Sequence, residues 1–466
     1  MTGKMREDGK QIRRLLDQVV QEAVRFYEQV DSRPAALTPM GYVQEGLPMV
    51  GDGTMRVLER FRTEHAPGMS GSAGPRYLGF VTGGATPASL VGDWLVSLYD
   101  QNVTGLDESI AGQMELETID MLKELFFLPE EFSGSFVTGA TMANFVGLAQ
   151  ARQWAARQSG VDASQQGLYG LPPIRLASGA PHSSVYKALS MLGMGRQSMQ
   201  LLPCLEHREA ADLRHLRRFL QENEGSPCVI VANAGTVNTV DYDDLEAIAE
   251  LKQEYRFWLH VDAAFGGFAA CSPRYRHLVK GMEQADSLTI DAHKWLNVPY
   301  DSAMQFTRHK DLQTEVFQNN AAYLGKDIDE PEFIHLTPEN SRRFRALPAW
   351  FTLKAYGRRG CREVVERNVE MARLLTEKLE QSGKFRLLAP TRLNVVCFTF
   401  AGDREDISST RIRSFLTKVK EEGDAFLTPT VYQGVPGIRA AFSNWRTGEE
   451  DVERTWRALC RVRDTL

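Results

Sequence analysis

The apolar positions of the chain change period along its length. Near the N-terminus Ile12, Leu15, Leu16, Val19, Val20, Ala23 and Tyr27 recur at helical spacing, with Arg13, Arg14, Gln18 and Arg25 off the stripe, which predicts an amphipathic helix. A second helical pattern covers Thr54 to Glu64, after the Gly-Asp-Gly turn at 51–53. Both need a partner surface, because one amphipathic helix cannot bury its face alone. The run Ala66 to Pro75, APGMSGSAGP, is the strongest boundary signal in the chain. Beyond it helical and strand patterns alternate, as an α/β domain requires. From about Pro348 the pattern turns helical again, over Trp350 to Tyr356 and Val364 to Gly383. Strand-like runs follow at Asn394–Phe400 and Ile438–Phe442, with a last amphipathic helix near Glu449–Val462. Three parts are expected: an N-terminal helical segment over 1–72, a large α/β domain over 73–347 and a small C-terminal α+β domain over 348–466.

Three short β-rich runs within the large domain carry polar residues at their ends. Cys228–Ala232 leads into Asn233-Ala-Gly-Thr236, Phe257–Val261 into Asp262, and Ser287–Ile290 into Asp291-Ala-His293-Lys294. Each is too short for a helix, and buried parallel strands read as such unbroken apolar runs. Enzymes of this class place their sites beyond the carboxyl ends of the strands, so three strands delivering polar groups to one edge look like a site. The segment Gln318–Asn340 is long, polar and proline-bearing (Pro331, Pro338), which suggests a functional lid.

The 466 residues hold 43% apolar and 24% charged side chains, enough for a sizeable core in two or three units. With 54 Lys plus Arg against 60 Asp plus Glu, the net charge of -6 argues against a nucleic-acid or anionic-membrane partner. No apolar run approaches the roughly 18 residues that span a bilayer, and the polar start MTGKMREDGKQIRR does not resemble a secretory signal. The six cysteines are widely separated, without a CxxC pair, as in reduced thiols of a cytoplasmic enzyme.

P-loop, HExxH, G-x-S-x-G and strand-linked G-x-G-x-x-G motifs are missing; Gly193-Met-Gly195 follows a helical pattern and reads as a turn. The chemistry instead centres on Asp291-Ala-His293-Lys294-Trp295. A lysine at the end of an apolar strand sits where desolvation lowers its pKa and makes the amine nucleophilic, although a lone strand-end lysine is usually a surface residue. Thirty-two residues earlier stands His260-Val-Asp262-Ala-Ala-Phe-Gly-Gly267, a carboxylate closing another buried strand. An acid followed by small residues suits a flat ring with its nitrogen on the carboxylate, which is what pyridoxal phosphate needs beside a lysine. By itself Asp262 is equally a helix or turn cap.

Taken together these motifs resemble, in order, the pyridoxal-phosphate-dependent group II amino acid decarboxylases of the aromatic-L-amino-acid and glutamate type, over about Pro75 to Asn444. The resemblance implies an aminotransferase-like fold of type I with a mostly parallel central sheet, pyridoxal 5'-phosphate as cofactor, and a homodimer with the site at its interface, the N-terminal segment serving dimerisation. Residue by residue, Lys294 matches the Schiff-base lysine and His293 its preceding partner, Asp262 the pyridinium partner, Ala264 the small residue beneath the ring, and His182, in Ala180-Pro-His182-Ser-Ser-Val185, the histidine stacked on the other face. Thr138-Gly-Ala140-Thr141-Met-Ala-Asn144 matches the phosphate cradle, where backbone N–H groups of Ala140 and Thr141 and a threonine hydroxyl meet an anion at a helix start. Thr236 resembles the threonine near the ring hydroxyl, and Ser341, before Arg342-Arg343, falls where the family reaches toward the neighbouring subunit's phosphate. Tyr323 resembles the catalytic-loop tyrosine that protonates the α-carbon after carbon dioxide leaves; relatives with phenylalanine there tend toward aldehydes. Asp291 departs from relatives that carry asparagine near the phosphate, where an extra negative charge repels it; it is expected to point at His293 or a backbone donor instead.

For the substrate, the resemblance makes Tyr77–Pro87 (YLGFVTGGATP) the side-chain pocket, with Phe80 and Thr82 as contacts. The segment is apolar and glycine-rich with no charge after Arg76, which suits an aromatic side chain better than an acidic or cationic one that would want a counter-charge. The competing expectations are a decarboxylase of acidic or cationic amino acids, an aldehyde synthase or aminotransferase, and a non-catalytic binding module on the same scaffold.

Overall fold

The computed structural model describes residues 3–38, 41–319, 332–402 and 407–465. Seven strands form the large sheet: β1 (Ser133–Val137), β2 (Arg175–Ser178), β3 (Met199–Leu201), β4 (Cys228–Asn233), β5 (Phe257–Asp262), β6 (Ser287–Ile290) and β7 (Ala303–Thr307). Their order is β1-β7-β6-β5-β4-β2-β3. From β6 to β3 all neighbours are parallel, and β7 lies antiparallel between β6 and β1. Every residue of β4, β5 and β6 is buried, which is why these strands read as continuous apolar runs rather than alternating ones. Their register sets Asn233 opposite Asp262 and Asp262 opposite Thr289. The polar ends of three adjacent strands therefore emerge along one edge.

A second sheet of β8 (Phe385–Leu387), β9 (Val395–Phe400), β10 (Thr428–Tyr432) and β11 (Val435–Ala441) is antiparallel, in the order β10-β11-β9-β8. The helical patterns on either side of residue 360 are two helices that meet at a kink within Ala346–Gln381, where Gly357 is non-helical. Ala349 and Leu353 before the kink, and Val365 and Val369 after it, pack in the core of the large sheet. Further along the second helix, Met371, Ala372, Leu375 and Leu379 pack in the core of the small sheet. The helix after the kink thus ties the two cores together. Between them runs the chain at Arg76–Leu78, where Leu78 N–H donates to Phe426 and Ala441 N–H donates to the Leu78 carbonyl.

The N-terminal helix covers Ile12–Gln29, and Leu15 is its only buried residue. Ile12, Leu16, Val19, Val20 and Val24 stay 43–55% exposed, so the described residues of this chain do not supply the surface its stripe demands. The second pattern forms the helix Thr54–Arg60 and then a wider π turn, Phe61–His65. The segment expected as a lid is not all loop: Phe333–His335 forms a 3₁₀ turn, and Phe333 and Leu336 are buried. Phe333 is anchored there under the Arg342 guanidinium, 4.7 Å from its ring.

Candidate active site

Lys294 lies in a single helical turn, Ala292–Trp295, immediately after β6. The turn is fastened on both sides, by Asp291 N–H to the Ala264 carbonyl (2.8 Å) and by His293 N–H to the Ser302 carbonyl (3.0 Å). Gly83 comes so close that a Cβ there would stand 1.8 Å from the Lys294 carbonyl oxygen, and its N–H donates to the His293 carbonyl. Only glycine fits such a backbone approach. The Tyr77–Pro87 segment is thereby stapled to the lysine.

The Lys294 ammonium is 2.9 Å from Asp291 Oδ2 and 5.6 Å from the centre of the Phe265 ring. The other Asp291 oxygen accepts the Ala140 N–H at 2.7 Å. Ala140 opens the helix Ala140–Gln158, with Thr141 next to it and extended Gly139 as the N-cap. Asp291 does take a backbone donor, then, and that donor belongs to the segment read as the phosphate cradle. His293 stands further off, 3.6 Å from Asp291, with its ring centre 4.5 Å from that of Tyr300.

Asp262 closes β5 and is buried. Its Oδ2 accepts from Asn144 Nδ2 at 2.9 Å and its Oδ1 from Ala264 N–H at 3.2 Å. The small residues after it serve packing as well: a Cβ on Gly266 would meet the Ala234 carbonyl at 2.1 Å. His182 caps the helix Ser183–Met191, with Nδ1 2.8 Å from Ser184 Oγ. Burial lowers its pKa most; Asp262 and Asp291 oppose that, while Lys294 and Arg439 add to it. The charges that act on His182 are therefore those of the residues picked from the sequence, with one addition.

That addition is Arg439. It lies on β11 and is 8% exposed, with Nη1 donating to the Val237 carbonyl at 2.8 Å, Nε without a partner, and no ion pair to a carboxylate among the described residues. Burial lowers its pKa. A guanidinium kept dry and unpaired is costly unless an anion completes it. The signal was in the sequence, as a lone arginine inside the apolar strand Gly437-Ile-Arg-Ala-Ala-Phe442. Asn144 and Tyr300 also escaped the sequence reading. Tyr300 follows the lysine turn, and burial pushes its phenol up to about 12, with Tyr77 and Asp291 acting in the same direction.

The remaining candidates are placed as follows. Thr236 is buried, and its hydroxyl donates to Glu209 at 2.5 Å. Thr82 offers its carbonyl to Ser443 Oγ at 3.0 Å. Phe80 is 59% exposed, its ring 5.9 Å from that of Phe426. Ser341 is exposed in the loop before buried Arg342. Tyr323 lies outside the described residues. Arg76, which precedes the Tyr77–Pro87 segment, is bound to Asp451 and to the carbonyls of Asp31, Arg33 and Asp424.

These residues fit a pyridoxal phosphate. An amine, a seated carboxylate, an imidazole and a helix N-terminus converge, and a Cβ on Gly139 would meet only His293 and Asp291, at 3.6 and 4.0 Å. The cradle thus has room beside its backbone for an anion.

Comparison with known proteins agrees. Residues 39–401 match the family model described as the pyridoxal-dependent decarboxylase conserved domain. An aromatic-L-amino-acid decarboxylase of Bacillus atrophaeus is 30% identical over 392 residues, covering 81% of this chain and 79% of that protein. A phenylacetaldehyde synthase of Petunia hybrida is 25% identical over 97% of this chain and 94% of its own length. Among solved structures, Oryza sativa TDC with PLP and tryptamine superposes with a TM-score of 0.90 at 24% identity, covering 98% of both chains, and shows the type I fold. The chain belongs to the pyridoxal-dependent decarboxylase family, and is an amino acid decarboxylase that uses pyridoxal 5'-phosphate.

Proposed function

We propose that the protein decarboxylates an aromatic L-amino acid to its amine and carbon dioxide. The observation that carries this reading is the commitment of Arg76. With its guanidinium bound into structural carbonyls and Asp451, the Tyr77–Pro87 segment stapled to Lys294 brings aromatic, hydroxyl and glycine residues and no free charge. Such a lining favours an aromatic side chain over a charged one.

The residues divide the work by position. When bound, the cofactor supplies an electron sink for the pair left behind as carbon dioxide departs. Lys294 would be its covalent anchor, Ala140 and Thr141 would donate to its phosphate, and Ser341 would reach toward the phosphate of the neighbouring subunit. Asp262 would keep a proton on the ring nitrogen, His182 and Ala264 would pack against the ring, and Thr236 and His293 would help to hold it. Arg439 binds the substrate carboxylate and orients it. Phe80 and Thr82 contact the substrate side chain. Tyr323 returns a proton to the α-carbon from a segment that excludes water.

A homodimer completes this reading. The exposed stripe of Ile12–Gln29, and Tyr42, Val43, Leu47, Met49 and Val50, which are 72–99% exposed, leave apolar side chains open of the kind that pair with another chain. Light scattering that gives a monomer would remove the shared site. The division into 1–72, 73–347 and 348–466 and a cytoplasmic location belong to the same proposal. No helix among the described residues is long and apolar enough to cross a membrane.

The test is carbon dioxide release from a panel of L-amino acids with added pyridoxal phosphate, oxygen uptake being followed in parallel. Release from phenylalanine, tyrosine, tryptophan or dopa without oxygen uptake is expected. Release only from acidic or basic substrates would overturn the pocket assignment. The likeness to a phenylacetaldehyde synthase favours a second reading, aldehyde formation, which oxygen uptake would reveal. Tyr323→Phe is expected to move the product from amine toward aldehyde.

A further inference from the structure

Behind His182 and Asp262 the hydrogen bonds form one continuous path, and its ends fix the proton on every member. The far end is Trp258, whose indole N–H can only donate and does so to Ser287 Oγ at 3.0 Å. Ser287 Oγ lies 2.8 Å from His260 Nδ1. Nδ1 is the one acceptor this buried hydroxyl meets among the described residues, so the hydroxyl gives its hydrogen to Nδ1 and His260 carries its proton on Nε2. That N–H faces Asn144 Oδ1 at 2.9 Å. The Asn144 amide nitrogen is then left with two hydrogens and two acceptors, Asp262 Oδ2 at 2.9 Å and Ser184 Oγ at 3.0 Å.

The opposite end gives the same answer independently. An ionised Asp262 only accepts, so the amide nitrogen and not the oxygen of Asn144 must face it. From Asn144 the path continues to His182. Ser184 Oγ accepts from the amide and donates to His182 Nδ1 at 2.8 Å, and the Ser184 backbone N–H points at the same nitrogen from 3.3 Å. With two donors aimed at it, Nδ1 holds no proton. Trp258, Ser287, His260, Asn144 and Ser184 are all buried, which shields the path from water. Burial also keeps both rings neutral, His260 titrating near about 4 and His182 below its usual range.

We infer that Asn144 is a positioning residue that sets two parts of the site at once: its amide seats the Asp262 carboxylate and, through Ser184, locks His182 as the neutral Nε2–H tautomer. His182 then meets the substrate side of the site as an N–H donor and takes no proton through Nδ1. It helps hold a carboxylate, and the proton for the α-carbon comes from elsewhere. This assignment rests on the active-site reading above.

The test uses the full-length protein labelled with [15N]histidine and two-bond proton–nitrogen correlation at neutral pH, with His182→Gln and His260→Gln supplying the assignments. Both histidines are expected as neutral Nε2–H tautomers. Ser184→Ala should turn His182 into a mixture of tautomers and leave His260 unchanged, and Ser184→Thr should restore the wild-type pattern. Asn144→Ala should change both histidines together. His182 protonated on Nδ1 in the wild type, or unmoved in Ser184→Ala, would overturn the inference. Trapping of pyridoxal phosphate on Lys294 with borohydride is read separately by mass. The expected tautomers without label on Lys294 would sustain the relay and overturn the site it was assigned to serve.

Discussion

Asp291 bridges Lys294 and the start of the helix Ala140–Gln158: one carboxylate oxygen is 2.9 Å from the lysine ammonium and the other accepts the Ala140 N–H at 2.7 Å. The same carboxylate therefore occupies the donor proposed for the phosphate and forms an ion pair with the amine. Like charges about 4 Å apart repel by ~4 kcal/mol at an effective dielectric of about 20. Part of that is lost to screening and rearrangement. Asp291→Asn is expected to bind pyridoxal phosphate roughly tenfold more tightly, about 1.4 kcal/mol, in equilibrium titration of the apo protein. Equal or weaker binding would mean that Asp291 turns away and serves the phosphate in some other manner.

Arg439 offers a sharper division between binding and chemistry. Its guanidinium is buried without a carboxylate partner among the described residues, and hydrogen bonds to charged groups contribute about 1.5–3 kcal/mol. Arg439→Met should therefore lower kcat/KM by roughly ten- to a hundredfold, with inhibition by the product amine, which lacks the carboxylate, little changed. Arg439→Lys keeps the charge and loses the fork, so it should recover only part of the loss. A variant that weakens amine and amino acid equally would show that the residue shapes the pocket and does not hold the carboxylate.

Arg342 and Glu115 form a fully buried pair, 2.8 Å apart, that joins β1 to the loop carrying Ser341. Arg342 also donates to the carbonyls of Val103 and Phe136, and Glu115 accepts the Phe136 N–H. Removing one partner strands the other charge in a dry interior, at a cost of about 3–5 kcal/mol. Arg342→Leu is expected to shift the urea unfolding curve by that amount. The double change Arg342→Met with Glu115→Leu should recover much of it, because no unpaired charge remains. A single variant as stable as the wild type would show that water reaches the pair.

The elements that the sequence disclosed most plainly are those whose physics is local or periodic. β4, β5 and β6 announced themselves because both faces are covered, and their terminal Asp262 and Lys294 followed at once. The helical patterns at Trp350–Tyr356 and Val364–Gly383 were legible as two, and the structure has two helices there, meeting at the non-helical kink of Gly357. Arg439, alone in its apolar strand, and Asn144, at the end of the Thr138–Asn144 motif, stood in plain sight, but their roles did not, for another reason. Each matters through partners more than a hundred residues away, His182 and Asp262, and no spacing along the chain encodes that approach. The partners of Arg76, Asp451 and the carbonyls of Asp31, Arg33 and Asp424, were beyond the reach of spacing in the same manner.

His260 makes stability depend on pH in a predictable direction. It is wholly buried in β5, and its pKa falls from the ordinary 6.5 to about 4 because burial disfavours the imidazolium. Above pH 6.5 neither the folded nor the unfolded chain protonates this residue, and its contribution is constant. Between about 6.5 and about 4 the unfolded chain binds a proton that the folded chain refuses, so stability falls as the pH falls, by roughly 1.4 kcal/mol per pH unit. Below about 4 both states are protonated and the loss levels off. A second proton on Nδ1 would cost the hydrogen bond that Ser287 donates to it, which reinforces the sign. Urea unfolding at pH 7 and pH 5 should show His260→Gln less stable than wild type at pH 7, with a smaller further loss on acidification. Parallel pH slopes for the two proteins would place the acid sensitivity in other groups.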